Sequence, residues 1–199
     1  MKYIKLFENF EDYDPYELMI IPPNKKAKMI IDEIRKDESN HEFIELLITM
    51  GAYVDWKDPN NSDYSALMEA VEHNKPEIVE MLLKAGADPN TQDNIRISAL
   101  HLCSNKRSKY ECFEALMKYD VNINIQNRGG QTPLHWAAYW NNSKVVKDLI
   151  EAGADPFIVD DMGHIPLDKT GTNNFVKGSW ESTYIINKLK QYMKSHEIH

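Results

Sequence analysis

Apolar residues along this chain fall in short clusters spaced for helices. Ile78, Val79, Leu82 and Leu83 make one such cluster, and Val145, Val146, Leu149 and Ile150 repeat its spacing. Side chains placed this way share one face of an α-helix, so each cluster predicts an amphipathic helix. Phe43, Ile44, Leu46 and Leu47 give another face, and Met29, Ile30, Ile31 and Ile34 one more. A second kind of helix opens at Gln131-Thr132-Pro133-Leu134-His135-Trp136-Ala137-Ala138-Tyr139-Trp140. Thr132 is suited to cap it, and Pro133 falls in the first turn, where a missing N–H costs nothing. Leu134 with the small pair Ala137 and Ala138 offers a face on which another helix can sit closely. The same word returns as Ser65-Ala66-Leu67-Met68, Ser98-Ala99-Leu100-His101 and Ile165-Pro166-Leu167-Asp168. From Leu67 to Leu100 is 33 residues, from Leu100 to Leu134 is 34, and from Leu134 to Leu167 is 33. A fixed period of this size predicts a repeat architecture.

A second marker keeps the same period. Met81-Leu82-Leu83-Lys84-Ala85-Gly86-Ala87-Asp88-Pro89 matches Asp148-Leu149-Ile150-Glu151-Ala152-Gly153-Ala154-Asp155-Pro156, with weaker copies at 45–55 and 115–124. Each is an apolar helix end stopped by a residue fit for the left-handed conformation, which glycine adopts without steric cost. With both markers in place, residues 24–195 resemble the ankyrin-repeat family. The resemblance implies an all-α solenoid of helix–turn–helix units joined by β-turn or hairpin fingers, about five repeats including divergent N- and C-terminal caps.

Residues 1–23 precede the repeats, with Phe7, Phe10, Tyr13 and Tyr16 interleaved among acidic residues. Three readings stand: a partner-docking peptide, a cap whose aromatics fold back on the first repeat, or a piece removed at Leu6-Phe7-Glu8. The last is similar to the Leu-x-Glu cleavage pattern of head proteins in large tailed phages. The first repeat, 24–58, is expected to carry Lys25, Lys26, Lys28, Asp32 and Glu33 on its outside. In the third repeat, 92–125, Arg96 and Asp120 stand where the family prefers glycine, and one residue is inserted between Ser104 and Cys112. Forcing both into the left-handed region costs on the order of 1 kcal/mol each, which predicts a soft middle repeat. The fifth repeat has a shortened first helix and a loop at 170–180. Its last helix is expected to turn Tyr184, Ile185, Leu189, Tyr192 and Met193 inward, and 196–199 form a tail.

The formal net charge of −8 argues against nucleic acid, which wants a basic stripe, and suits either simple solubility or a basic protein partner. The longest early apolar run, Leu18–Ile21, ends at Pro22 and is too short to span a bilayer. Two cysteines make no disulfide framework. The expectation is a cytoplasmic monomer without cofactor.

No phosphate loop, zinc-protease motif or nucleophile elbow appears, so the chain is expected not to be an enzyme. Cys103 and Cys112 align with buried aliphatic positions. The resemblance implies that His101 and His135 hydrogen-bond backbone of the next repeat. His164 with Asp160 and Asp161 is a hard-ligand alternative on a finger tip, set against the family's structural finger aspartate. Partner contacts carried over from the family fall on Tyr64, Glu72 and His73; on Ile95, Ile97, Asn105 and Lys106; on Arg128, Gln131, Tyr139 and Trp140; and on Met162 and His164. Adjacent Tyr139 and Trp140 give the strongest signal, since interface hot spots favour Trp and Tyr. Packing of Trp140 on a neighbouring repeat or the 170–180 loop is the competing reading. The expected function is protein–protein interaction. The alternatives are an inhibitor or immunity-type protein, or a phage-encoded one, that blocks a basic partner, and a small enzyme or ligand-binding protein with a site framed by 1–23 and the 170–180 loop.

Overall fold

A computed structural model describes residues 15–105, 109–172 and 180–196. The chain forms two compact units, Met1–Asp88 and Pro89–His199. Unit 1 contains α1 (Pro15–Ile20), α2 (Pro23–Ile34), α3 (His41–Thr49), β1 (Lys57–Asp58), β2 (Tyr64–Ser65), α4 (Ala66–Glu72) and α5 (Pro76–Lys84). Unit 2 contains α6 (Ala99–Asn105), α7 (Tyr110–Leu116), α8 (Pro133–Tyr139), α9 (Ser143–Glu151), α10 (Pro166–Lys169) and α11 (Trp180–His196). Helices dominate and the fold is all-α, with the short β1–β2 hairpin as one finger.

In unit 1, α2 packs on α3 and α4, and α4 pairs with α5. In unit 2, α8 packs on α6, α9 and α10, while α11 closes against α9 and α10. The apolar clusters of the second helices are buried as expected: Ile78, Val79 and Leu82 at 0%, and likewise Val145, Val146 and Leu149. Cys103 and Cys112 are buried free thiols.

Ser65 and Thr132 cap α4 and α8 through bonds from the N–H groups of Met68 and His135. At the other end, α5 and α9 stop in paired bonds. Ala87 N–H reaches Leu82 O at 3.0 Å and Ala154 N–H reaches Leu149 O at 2.9 Å, each across a left-handed glycine, Gly86 or Gly153.

Four expectations need correcting. Asp120 is not left-handed: α7 ends early at Leu116, Val121 N–H turns back onto Tyr119 O, and Asn90 Nδ2 donates to Asp120 O. The third repeat therefore loses the paired bond that ends its neighbours, and of these two residues Arg96, at φ 62°, bears the left-handed backbone. Lys26 and Glu33 lie inside, not outside. Lys26 Nζ donates to Met50 O at the end of α3, and Glu33 accepts Asn40 N–H at its start, so both charges serve orphan helix-end groups. Tyr184 is exposed at 41% while Ile185 and Leu189 hold the inner face of α11. Finally, Tyr16 is 78% exposed rather than folded back; Leu18 is the buried residue of α1. Phe7, Phe10, Tyr13 and the Leu6-Phe7-Glu8 pattern lie outside the described residues, as do most of the 170–180 loop and the 197–199 end of the tail.

Candidate functional site

Three fingers in unit 2 are built alike. Each closes when an Asp or Asn N–H donates to the carbonyl four residues on: Asp93 to Ile97, Asn127 to Gln131, Asp160 to His164. The side chains of the same residues accept N–H groups of the turn, as Asp160 Oδ1 does from Met162 and His164. Adjacent fingers are tied by backbone bonds, Arg128 N–H to Ile95 O at 2.9 Å and Asp161 N–H to Gly129 O at 3.0 Å, and Gln92 Nε2 adds a side-chain bond to Gln126 O at 3.0 Å. Gly130 sits at φ 72°, and a Cβ there would fall 3.0 Å from Asp161 N and 2.7 Å from its Oδ1. A side chain is excluded twice over.

Beneath the fingers two histidines join one repeat to the next. Thr132 N–H donates to His135 Nδ1, which leaves the proton on Nε2, and Nε2 donates to His164 O at 3.0 Å. His101 does the same between Ser98 N–H and Gln131 O, at 2.9 Å to the carbonyl. Burial pushes the His101 imidazole down to about 4, against the weaker upward pull of Gln131 O. His135 is lowered for the same reason. Both rings are neutral, with both nitrogens bonded.

Alongside this ladder runs a groove of about 570 Å³ between α8, α10 and the finger that Asp160 closes. Trp136, Tyr139 and Trp140 line it, one helical turn apart on the same side of α8. Tyr139 and Trp140 meet edge to face at 5.2 Å and remain 39% and 44% exposed. Trp136 is fixed from below by its Nε1–H bond to Gln131 Oε1 at 3.0 Å and by the edge of His101. Met162, 77% exposed, and His164 border the groove on the finger side, and Asn105, Asp168, Lys169 and Thr172 complete it.

Lys169 is committed. Its Nζ lies 2.6 Å from Asp160 Oδ2 and 3.2 Å from His164 Nδ1. Burial drives the Asp160 carboxyl up, but Lys169 and the N–H groups of His164 and Met162 outweigh it and hold the group down at about 2. The finger aspartate thus faces an ammonium. Among the described residues no cluster of three His, Cys, Asp or Glu side chains is placed to hold a metal.

Of the sequence-derived contacts, Asn105, Gln131, Tyr139, Trp140, Met162 and His164 converge on this one groove. Ile95 and Arg128 are exposed on the finger row, and Ile97 is half-buried there. Lys106 lies outside the described residues. Tyr64, Glu72 and His73 border a separate groove in unit 1, together with Arg35, Asp58 and Glu69. Trp136, Asp168 and Lys169 were not anticipated. The signal for Trp136 was its spacing, three and four residues before Tyr139 and Trp140.

Stacked helix pairs with backbone-locked fingers over an exposed aromatic groove define a repeat protein of the protein-interaction class. The chain belongs to the ankyrin-repeat family: the family model described as ankyrin repeats (3 copies) matches residues 36–93 and 87–160. It is 30% identical over 151 residues to the mitochondrial disaggregase of Bos taurus, covering 73% of this chain and 21% of that protein. It is 32% identical over 118 residues to the human ankyrin repeat and SOCS box protein 6, covering 56% of this chain and 28% of that one. With human inversin the identity is 34% over 115 residues, 55% of this chain and 11% of that protein. The chain therefore spans less than a third of the length of each of these relatives. Among the described residues no helix is long and apolar enough to cross a membrane.

Proposed function

We propose that this chain is a non-catalytic binding module that captures a partner protein in the groove of unit 2, with Ile95, Arg128 and Met162 on the finger row extending the contact. The observation that carries this reading is the pair Tyr139 and Trp140, held at a rigid helix end yet 39% and 44% exposed. Aromatic side chains fixed in this way lose little entropy on binding and supply hot-spot area. The spent nitrogens of His101 and His135 support binding without turnover. Replacing both residues, Tyr139→Ala with Trp140→Ala, is expected to leave circular dichroism and thermal unfolding unchanged and to abolish capture of the native partner in an affinity pull-down. An undiminished pull-down removes the groove from the account.

A narrower reading, in which the captured protein is basic and is blocked by binding, draws support from the formal charge of −8. Its mark is a steep loss of affinity with added salt. Two buried free thiols suit a reducing compartment, so the cytoplasm is the compartment proposed.

A further inference from the structure

The groove of unit 2 is mainly aromatic, yet its polar groups are unevenly matched. Its own cation is spent, since Lys169 is 13% exposed and held by Asp160 and His164. Asp168, by contrast, is exposed, and Oδ2 accepts the Ile165 N–H at 3.0 Å. Among the described residues no ammonium or guanidinium pairs with it. Asn105 borders the same groove, but its amide oxygen is buried out of reach of an occupant. The donors of Trp136 and His135 are already used on Gln131 and His164. What the groove lacks is a donor, and what it offers is aromatic faces beside a carboxylate.

The geometry points to an arginine side chain of the partner as the occupant of this groove, a reading that rests on the capture function above. A cation over an indole face is attracted by the ring quadrupole, and Trp is the best such partner. Arginine fits better than lysine. Its planar guanidinium stacks on aromatic rings, carries five N–H donors in a fork that matches the Asp168 carboxylate, and is more weakly hydrated than a compact ammonium. An acidic side chain would meet Asp168 with like charge, and Lys169 is already neutralised.

The test is selection of a random 12-residue peptide library on the full chain, followed by affinity measurement of the enriched peptides. The expected result is arginine at one anchored position. Its replacement by citrulline, which keeps the shape and removes the charge, then weakens binding by about tenfold. Asp168→Asn, which retains an oxygen for the Ile165 N–H, gives a similar loss, and lysine at the anchor recovers little. Peptides that need Tyr139 and Trp140 but tolerate citrulline overturn this inference and leave the capture site standing. Peptides that bind equally to the Tyr139→Ala, Trp140→Ala double variant, or a failure to enrich any peptide, sink both.

Discussion

Each unit has a groove at the same place, between a finger and the first helix of a repeat, and the two are filled by opposite chemistry. In unit 1 the carboxylates of Asp58 and Glu69 are buried, and Arg35 reaches both, at 3.3 and 2.6 Å. Asn61 Nδ2 adds a bond to Glu69 at 2.5 Å, and Lys28 stands 3.9 Å from Asp58. Burial drives Asp58 up, but the Asn60 N–H, Lys28 and Arg35 prevail and hold it below the ordinary carboxylate range. Hydrogen bonds and charge from Glu69, with help from Asp58, raise the Arg35 guanidinium in turn. In unit 2 the corresponding space holds two tryptophans and a tyrosine over neutral imidazoles, with matched charge confined to Lys169 on Asp160. Internally matched charge secures a repeat, whereas exposed rings on a rigid helix end leave a surface for something else. One backbone location thus serves stability in the first unit and recognition in the second.

The contrast breaks most readily at Arg35. Arg35→Ala takes from two buried carboxylates the cation they share, and about 3 kcal/mol of stability is expected to go. That is the low end for a buried pair, because the Arg35 side chain is 32% exposed. The Tyr139→Ala, Trp140→Ala double variant should change urea-unfolding stability by less than about 1 kcal/mol. Equal losses in the two variants would erase the distinction between the grooves.

Acid sharpens the comparison. His101 titrates at about 4 in the fold and at 6.5 unfolded, so the unfolded chain binds the extra proton. Its stabilising contribution is whole above pH 6.5 and falls away as pH drops toward 4, by up to about 3 kcal/mol. Asp58 has a depressed folded value, so its contribution persists until pH falls below about 3.8. Unit 2 should therefore loosen first, near pH 5. Residue-resolved NMR across pH 7 to 3 checks the order, and His101→Gln should flatten the dependence above pH 4. Loss of unit 1 signals first would contradict it.

The smallest effect lies within unit 2. Helix α7 has seven residues against nine in α9, and lacks the paired terminal bond. Native-state hydrogen exchange is expected to show 109–121 less protected than 143–154 by about 1 kcal/mol. Greater protection of 109–121 would refute the soft third repeat.

Most of the fold was readable because stacking imposes a period, and Leu67, Leu100, Leu134 and Leu167 kept it. Tyr139, Trp140, Met162 and His164 were readable because finger and helix-end positions do not serve stacking. Through-space partners were not readable. Lys26 and Glu33 look like surface charges until the ends of α3 are in place beside them, and nothing near Asp168 in the sequence shows that Lys169 is already taken. Asp120 was misjudged because the expected glycine conformation is one of two ways to end that helix, and the bond from Asn90 favours the other. Tyr184 was misplaced because α11 has more apolar residues than one face can bury.

The fingers of unit 2 are fastened to one another through main-chain amides and carbonyls, and those bonds are indifferent to what each tip residue carries. Ile95, Arg128 and Met162 can therefore be rewritten singly without loosening their neighbours. A lineage, or an engineer, inherits at these three tips interchangeable letters on a fixed frame, whereas at Gly130 the spelling is not free.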